Sequence, residues 1–223
     1  LCDRTQPIRP RDRLDIPAQE MPAQNPAQRR SNIGEVTLGY SLEQARLEAT
    51  RCLRCKNAPC VTGCPVGVDI PGFISAVADG EIGVAADVIR RTNVLPAICG
   101  RVCPQEAQCQ TACTVGRSLK DPSRSVAIGR LERFVADWEA AQGTAGVPEV
   151  KPETDRRVAC IGTGPASVVV AADVRREGHA VTMFEAFHKP GGVLLYGIPE
   201  FRLPKQIVDR EIATLRAMGG TSG

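Results

Sequence analysis

The sequence predicts an α + α/β protein, in which an all-helical, cysteine-rich domain precedes the start of a Rossmann-like domain. Two cysteine runs, flanked by apolar residues at helical spacing, predict the first domain. A strand, a glycine turn, a helix and a second strand, in this order, predict the second domain. We expect an extended N-terminal arm at 1–38, the helical domain at 39–142, a linker at 143–155 and an incomplete α/β domain at 156–223.

Eight of the ten cysteines lie in two short runs. Pro65 directly follows the first run, whose members are Cys52, Cys55, Cys60 and Cys64. The second run contains Cys99, Cys103, Cys109 and Cys113. So many thiols at close spacing indicate disulfides, a zinc site or iron–sulfur clusters.

The spacing of the cysteines favours iron–sulfur clusters over the two alternatives. Disulfides need an oxidising compartment, and no hydrophobic signal segment is visible, although Leu1 is not a start methionine. Zinc sites usually pair two short knuckles, whereas Cys52 and Cys55 form a single one and the histidines lie far downstream. A C-x2-C turn followed by a Cys-Pro pair is typical of two-cluster ferredoxins, although the middle spacing is four residues here instead of two.

The interleaving of the two runs predicts which thiols share a cluster. In two-cluster ferredoxins the cysteine before proline binds the other cluster, so Cys64 is assigned to the second cluster. The first cluster is then expected to use Cys52, Cys55, Cys60 and Cys113. The second cluster is expected to use Cys64, Cys103 and Cys109. Its fourth corner stays open at this point, with Cys99 as the obvious thiol candidate.

Charge and hydropathy exclude some classes of function. The net charge of +3 is too small and too dispersed to indicate a nucleic-acid-binding protein. No run approaches the roughly twenty apolar residues of a membrane span. Reduced thiols without a visible signal segment predict a cytoplasmic location.

Local signals predict the helices of the first domain. Repeated prolines in residues 1–30 indicate an extended arm. A capping box at Ser41 and Gln44 opens a helix, Asp69 caps the next one and Gly80 ends it. Further helices are expected at 81–91 and about 125–141, with a polar loop at 116–123 between the second cysteine run and the last helix. The side chains expected to face inwards are Leu42, Ala45, Ala49, Ile70, Phe73, Ile74, Val77, Val84, Ala85, Val88, Ile89, Ala127, Leu131, Phe134 and Trp138.

The α/β part begins with the pattern of a dinucleotide site. A strand at 157–161 leads into Gly162 and Gly164, which permit a tight turn and a close approach of the backbone to a pyrophosphate. Ser167 stands where a third glycine is usual, which weakens the motif without abolishing it. A helix to residue 176 and a strand at 181–184 follow, and Glu185 would bind a ribose. Two strands alone cannot complete a doubly wound sheet, so we expect the rest of the domain on a longer polypeptide or on another chain.

Residues 40–138 resemble the cluster domain of the NADPH-dependent glutamate synthase small subunit family. The same domain occurs in dihydropyrimidine dehydrogenase and in the large subunit of electron-bifurcating ferredoxin:NADP oxidoreductase. The matching stretches are RCLRC at 51–55, PC at 59–60, GCP at 63–65, DIPGFI at 69–74, NVLP at 93–96, CGRVCP at 99–104 and IGRLERF at 128–134. The resemblance implies two 4Fe-4S clusters, with a side-chain oxygen at the position of Glu132 as the last ligand and with Cys99 unligated.

The second part of the chain resembles the FAD-binding half of this family. Gly191 and Gly192 follow Glu185 after five residues, and the stretch LLYGIPEFRLPK at 194–205 resembles the family's loop against the flavin. The FAD-binding residues that this implies are Gly162, Gly164, Pro165, Ala166, Ser167, Glu185, Gly191, Gly192, Leu195, Tyr196, Gly197, Ile198 and Pro199. No residue is an evident general acid or base, so we expect no catalytic side chain.

The resemblance implies an electron-transfer flavo-iron–sulfur subunit that is inactive as a fragment. NADPH or NADH would bind outside this chain, and electrons would pass to a larger glutamate synthase subunit or to ferredoxin, so a hetero-oligomer is expected. The alternatives are a cluster module without a working flavin site and a zinc- or disulfide-stapled interaction protein.

Overall fold

The computed structural model describes residues 8–143 and 146–222. Its helices are α1 Pro10–Leu14, α2 Pro26–Arg29, α3 Leu42–Thr50, α4 Pro59–Thr62, α5 Ile70–Asp79, α6 Ile82–Arg90, α7 Pro96–Val102, α8 Thr114–Ser118, α9 Ile128–Gln142, α10 Pro165–Arg176, α11 Val193–Tyr196 and α12 Lys205–Ala217. Single 3₁₀ turns lie at Gln105–Ala107 and Pro122–Arg124. The strands are β1 Arg157–Ile161, β2 Ala180–Phe184 and β3 Thr221–Ser222.

The chain divides into two compact units. The first consists of the chain up to residue 23 and of residues 38–142, and the second of residues 24–37 and the chain from residue 143 onwards. The predicted arm at 1–38 therefore contributes to both units, and it contains α1 and α2 besides its extended stretches. Cys2 and part of the predicted linker lie outside the described residues.

The first unit is all-helical across its described residues, as the sequence predicts. The Ser41 side chain accepts from the Gln44 N–H while the Gln44 side chain accepts from the Ser41 N–H, so the predicted capping box is present. The Asp69 carboxylate caps α5, and Gly80 ends that helix with a φ of 91°. These signals were predictable because each depends on residues within one helical turn.

The core of the first unit lies between α3, α5, α6 and α9. Its most deeply buried apolar side chains include Phe73, Ile74, Val77, Leu131 and Val135. Two of the predicted inward residues are wrong: Leu42 is 49% exposed and Val84 is 51% exposed. Helical spacing identifies a stripe, but the neighbouring helices decide which edge of that stripe they cover.

The region between the second cysteine run and α9 is more ordered than the sequence predicts. The expected polar loop at 116–123 contains the end of α8 and a 3₁₀ turn. The last helix begins at Ile128, three residues later than expected, because residues 125–127 continue the extended path after that turn. No helix among the described residues is long and apolar enough to cross a membrane.

The second unit contains a small parallel sheet with helices packed against it. Strand β1 pairs with β2 in the register Arg157 to Ala180 and Ile161 to Phe184. Strand β2 also pairs in parallel with β3, giving the order β1-β2-β3, so the expectation of two strands omits a third. The strand ends are incompletely covered within this unit, since Ile161 is 81% exposed.

Candidate functional site

Four cysteines from distant parts of the first unit line one apolar pocket. They are Cys52, Cys55, Cys60 and Cys113. The other pocket walls are largely aliphatic and come from α5, α8 and the stretch before α9, including Ile70, Ile74, Val115, Val126 and Ile128. This set of thiols is the one that the interleaved spacing assigns to the first cluster.

Local structure brings these four sulfur atoms together. Cys52 follows the end of α3, Cys60 lies in the short helix α4, and Cys113 is the residue before α8. The Cys55 thiol lies 3.3 Å from the Thr114 hydroxyl, which links the first cysteine run to the second. Cys113 lies 53 residues beyond Cys60 in the chain, so these four thiols cannot come from one short metal-binding loop.

The pocket disfavours negative charge in the absence of a bound cation. Burial, and then the neighbouring sulfur of Cys113, raises the pKa of Cys60 to about 12. Burial also raises the pKa of Cys52, while the positive charge of Arg13 acts in the opposite direction. Several thiolates can coexist here only if a cationic group offsets their mutual repulsion, which is what the iron atoms of a cluster provide.

The remaining cysteines of the two runs form a second group together with a buried carboxylate. Its members are Cys64, Cys99, Cys103, Cys109 and Glu132. Burial, and then the negative charges of Cys64 and Glu132, raises the pKa of Cys109 to about 12. Burial raises the pKa of Glu132 to about 8, with a contribution from the Cys103 sulfur. These interactions link Cys64, Cys99, Cys103, Cys109 and Glu132 as neighbours in the fold.

Two glycines allow the elements of the second group to approach closely. A Cβ atom at Gly63 would lie 3.1 Å from the backbone oxygen of Gln108, so the chain before Cys64 runs directly against that before Cys109. A Cβ atom at Gly100 would lie 2.6 Å from the backbone nitrogen of Arg133, so α7 and α9 touch backbone to backbone. This contact sets Glu132 of α9 beside Cys99 of α7 and Cys103 at the end of that helix.

Cys99 is a fifth possible donor in the second group, one more than the four ligands that a four-iron cluster binds. Its thiol hydrogen-bonds with Cys103, and this bond, together with burial and the charge of Glu132, raises the pKa of Cys99. The same bond lowers the pKa of Cys103 to about 7. Because the thiolate is the metal-binding form, the arrangement favours Cys103 over Cys99 as a ligand.

The donor set fits iron–sulfur clusters better than the two alternatives. Every cysteine that the structure describes is free of disulfides. Within residues 8–143 and 146–222, no group of three or more His, Cys, Asp or Glu side chains converges on a point where a single metal ion would sit. Zinc ligands meet at one ion, whereas the ligands of a cuboidal cluster bind different iron atoms and stand further apart.

The glycine-rich turn of the second unit has the features of a dinucleotide loop. Gly162 has a φ of 87°, and Gly164 precedes α10. A Cβ atom on either glycine would meet no atom within 4 Å, so open space lies at the start of α10 where a pyrophosphate could approach the backbone. The neighbouring residues of this motif, Pro165, Ala166 and Ser167, form the first turn of α10.

Glu185 and the Gly191–Gly192 pair close on the same turn. Glu185 accepts hydrogen bonds from the Thr163 N–H over 3.2 Å, from the Thr163 hydroxyl and from the Phe187 N–H over 2.9 Å. The Thr163 hydroxyl in turn accepts from the Gly191 N–H over 2.9 Å. A Cβ atom at Gly192 would lie 2.8 Å from the Cα atom of Gly164, so this contact needs a glycine at position 192.

The remaining predicted flavin residues lie on α11 and just after it. Leu195 and Tyr196 belong to α11, and Gly197, Ile198 and Pro199 form the following turn. Lys205 holds this turn, because its ammonium group donates to the backbone oxygens of Leu194 and Ile198. The Tyr196 ring is 45% exposed and contacts the Phe187 ring.

The sequence analysis missed two residues that contact the candidate cluster sites. Arg13, from the N-terminal arm, bonds the backbone next to Cys52, and Asn93 bonds Glu132. The Arg13 contact spans 39 residues and has no sequence signal. Asn93 lies inside the matching stretch at 93–96, but nothing in that stretch indicates that its amide bonds Glu132.

Comparison with known proteins identifies the class of this chain. A family profile described as dihydropyrimidine dehydrogenase domain II, 4Fe-4S cluster, matches residues 29–144, which is more than half of the chain. The chain belongs to this family. Membership supports binding of 4Fe-4S clusters and an iron–sulfur role in electron transfer.

Several curated proteins are similar to nearly the whole chain. The NAD-dependent dihydropyrimidine dehydrogenase subunit PreT of Escherichia coli is 40% identical over 90% of this chain and 46% of its own length. The glutamate synthase (NADPH) small chains of Halomonas elongata and Azospirillum brasilense are 37% and 36% identical over 92% and 91% of this chain, and over 43% and 42% of their own lengths. The chain thus spans less than half the length of these relatives, which are oxidoreductase subunits by name.

Proposed function

We propose that this chain carries two 4Fe-4S clusters and one side of an FAD site, and that it relays electrons between NAD(P)H and a partner protein. The separation of the interleaved cysteines into two groups carries the proposal. Cys64 belongs to the first cysteine run but lies near Cys109 of the second run. Cys113 belongs to the second run but lies near Cys60 of the first. Such an exchange is the expected arrangement of two neighbouring clusters.

The first site would bind a cluster through four thiolates in an aliphatic pocket. Ile70, Ile74 and Val126 would exclude water from the bound group, and this exclusion is one determinant of its reduction potential. Arg13 would add positive charge near Cys52. The first site is thus suited to a cluster that is bound entirely by sulfur.

The second site would combine three thiolates with one carboxylate oxygen. Cys64, Cys103, Cys109 and Glu132 would be its ligands. Replacing a thiolate by a weaker donor raises the potential of an iron–sulfur centre, so we expect the two clusters to differ in potential. This difference would give the electron path a direction.

The second unit would hold the adenosine and pyrophosphate end of FAD. The open space before α10 supports a pyrophosphate there, and Glu185 at the end of β2 supports a ribose contact. When bound, FAD would accept a hydride and the clusters would carry single electrons, chemistry that belongs to the cofactors. The names of the relatives support NADH or NADPH as the donor, with its site outside this chain.

A partner subunit or a small redox protein would exchange electrons with the clusters. The relatives include a subunit of dihydropyrimidine dehydrogenase and small chains of glutamate synthase, and this supports a hetero-oligomer.

Metal and sulfide analysis tests the proposal. Protein purified anaerobically should contain about eight iron atoms and about eight sulfides per chain, as expected for two four-iron clusters. Its visible spectrum should show the broad absorption of iron–sulfur centres, to which bound flavin would add structured bands. Zinc without iron would contradict the proposal, and about four irons would reduce it to a single cluster.

A further inference from the structure

Asn93 lies between the Glu132 carboxylate and the Cys99 thiol, and its side chain is 4% exposed. Its Nδ2 donates to Oε1 of Glu132 over 2.7 Å. Its Oδ1 accepts from the Leu95 N–H over 2.9 Å and from the Cys99 thiol over 3.7 Å, a distance within the longer reach of a sulfur donor. One buried amide therefore contacts both candidates for the last ligand of the second cluster.

These contacts allow only one orientation of the Asn93 amide. The Leu95 N–H can only donate, so the amide oxygen must face it. Rotating the amide by 180° would place its NH₂ group against the Leu95 N–H and its oxygen against the Glu132 carboxylate. The Nδ2 group therefore points to Glu132 for a reason that does not depend on how amide atoms are assigned.

The amide leaves one oxygen of Glu132 available. Oε1 is held by Asn93, whereas Oε2 makes no hydrogen bond to any residue that the structure describes. The charge of Glu132 acts on Cys99 and Cys109, so this carboxylate lies beside the sulfur atoms of the second site. A hydrogen bond from outside the ligand set is the usual way to orient a metal-binding side chain.

Asn93 also restrains Cys99. The Cys99 sulfur lies at the oxygen end of the amide and Glu132 at its nitrogen end, so one rigid group holds the two candidate ligands apart. Sulfur is otherwise the softer and better donor for iron–sulfur centres, so an unrestrained Cys99 would compete with Glu132.

We propose that Asn93 is the positioning residue that selects an oxygen instead of a sulfur as the fourth ligand of the second cluster. It presents Oε2 of Glu132 and holds the Cys99 thiol away. This inference rests on the proposed function, in which Glu132 is that ligand.

Two substitutions at Asn93 test the selection. Asn93→Asp keeps the oxygen that accepts from the Leu95 N–H, and hence the turn. It places a second carboxylate against that of Glu132. Asn93→Leu removes both polar contacts at similar volume. Asn93→Asp keeps the acceptor of the Cys99 thiol and should weaken only the binding of Glu132. Asn93→Leu removes that acceptor, so the Cys99 sulfur should bind iron in place of Glu132. The reduction potential of the second cluster should fall, because thiolate donates more charge than carboxylate, and its EPR spectrum should change.

A Cys99→Ala substitution in each background provides the decisive comparison. Alone it should leave about eight irons per chain, whereas combined with Asn93→Asp or Asn93→Leu it should leave about four, from one remaining four-iron cluster. Gln105→Met is the matched control. It removes a half-buried amide that donates to the Cys99 backbone oxygen and does not contact Glu132, so the potential of the second cluster should not move.

The outcomes separate this inference from the proposed function. If the unsubstituted protein holds two clusters and Glu132→Ala alters the second, but the Asn93 variants keep its potential and its independence of Cys99, the inference is wrong and the function stands. Loss of the second cluster in Asn93→Leu while Cys99 is present would also overturn the inference, since the released thiol should then become the fourth ligand. If the unsubstituted protein lacks a second cluster, or if Glu132→Ala leaves it unchanged, the proposed ligand set fails.

Discussion

Arg13 donates a hydrogen bond of 2.9 Å to the backbone oxygen of Cys52. The same guanidinium nitrogen donates to the backbone oxygen of Thr50, also over 2.9 Å. The end of α3 and the first proposed ligand are thus held by a residue of the N-terminal arm. The positive charge of Arg13 also lies close enough to the Cys52 sulfur to favour its thiolate.

We expect Arg13→Ala to weaken the first cluster site. Loss of hydrogen bonds from a charged donor should lower the free energy of unfolding by about 1.5–3 kcal/mol. Loss of the positive charge should lower the reduction potential of the first cluster. Denaturant titration and a redox titration followed by EPR measure the two effects.

Two further variants separate the charge of Arg13 from its geometry. Arg13→Lys keeps the charge and should restore much of the potential but less of the stability, because an ammonium group cannot reproduce the guanidinium geometry. Arg9→Ala is the control, since Arg9 hydrogen-bonds the exposed Asp12, the middle residue of α1, and not Cys52. An equal shift of potential in Arg9→Ala would show that the arm acts only through its overall charge.

A fully buried ion pair at the end of α3 also contacts the N-terminal arm. Arg51 donates to Glu48 over 2.6 Å, and both side chains are at most 1% exposed. The Glu48 carboxylate also accepts from the N–H groups of Gln19 and Ala127, each over 2.8 Å. One carboxylate therefore joins the arm, α3 and the chain entering α9.

Glu48→Ala should be among the most destabilising substitutions in the first unit. It would leave the Arg51 charge buried without its partner, which typically costs about 3–5 kcal/mol. Chemical unfolding of the holoprotein measures this loss. Glu177→Ala, which breaks an exposed pair with Lys151, should leave the unfolding midpoint unchanged.

A double variant tests whether the Glu48 effect comes from the unpaired charge. Glu48→Leu combined with Arg51→Met should be more stable than Glu48→Ala alone, because apolar replacement of both partners removes the buried charge. If the double variant is less stable than the single one, the backbone contacts of Arg51 outweigh its ion pair.

Glu132 and Cys99 should respond differently to substitution by alanine. Glu132→Ala should change the potential or the occupancy of the second cluster, because it removes the proposed oxygen ligand. Cys99→Ala should leave both nearly unchanged, since its thiol is held by Asn93. Iron analysis and EPR redox titration give the ranking, and the reverse order would make Cys99 the ligand.

The helix caps could be predicted from the sequence, whereas the residues around the cluster sites could not. Ser41, Asp69 and Gly80 act within one turn of their own helices, so their sequence neighbours suffice to identify them. The contact of Arg13 with Cys52 depends on how the arm returns to α3. No spacing rule describes such a path, because it is set by packing between distant segments.

The sequence predicts a grouping of the cysteines for a different reason. Interleaved runs leave few ways to distribute eight thiols over two sites, and the structure groups Cys60 with Cys113 and Cys64 with Cys109. The binding of iron by these groups stays a prediction. The position of Cys99 beside Cys103 and Asn93 could not be derived from spacing, because it depends on the start of α7 at Pro96.

The glycine turn before α10 allows a test that separates ligand binding from folding. Gly164 has a φ of −67°, which any residue adopts, and an added Cβ atom would enter open space. We therefore expect Gly164→Ala to fold as stably as the unsubstituted chain while obstructing the proposed pyrophosphate position. Gly192 differs, since its φ is 52° and an added Cβ atom would strike Gly164. Gly192→Ala should therefore lose stability as well as binding.

ADP, the half of FAD that this turn would hold, is the probe for that comparison. Titration into ¹⁵N-labelled protein should shift the amide signals of residues 162–164, 166 and 167, with weak affinity because these residues contact only the adenosine and pyrophosphate groups. Gly164→Ala and Glu185→Ala should each weaken binding about tenfold, a loss typical of one or two hydrogen bonds. FAD should bind these 223 residues little more tightly than ADP. Shifts confined to other residues would remove the turn from the proposed site, and tight stoichiometric binding of FAD would mean that these residues already form most of it.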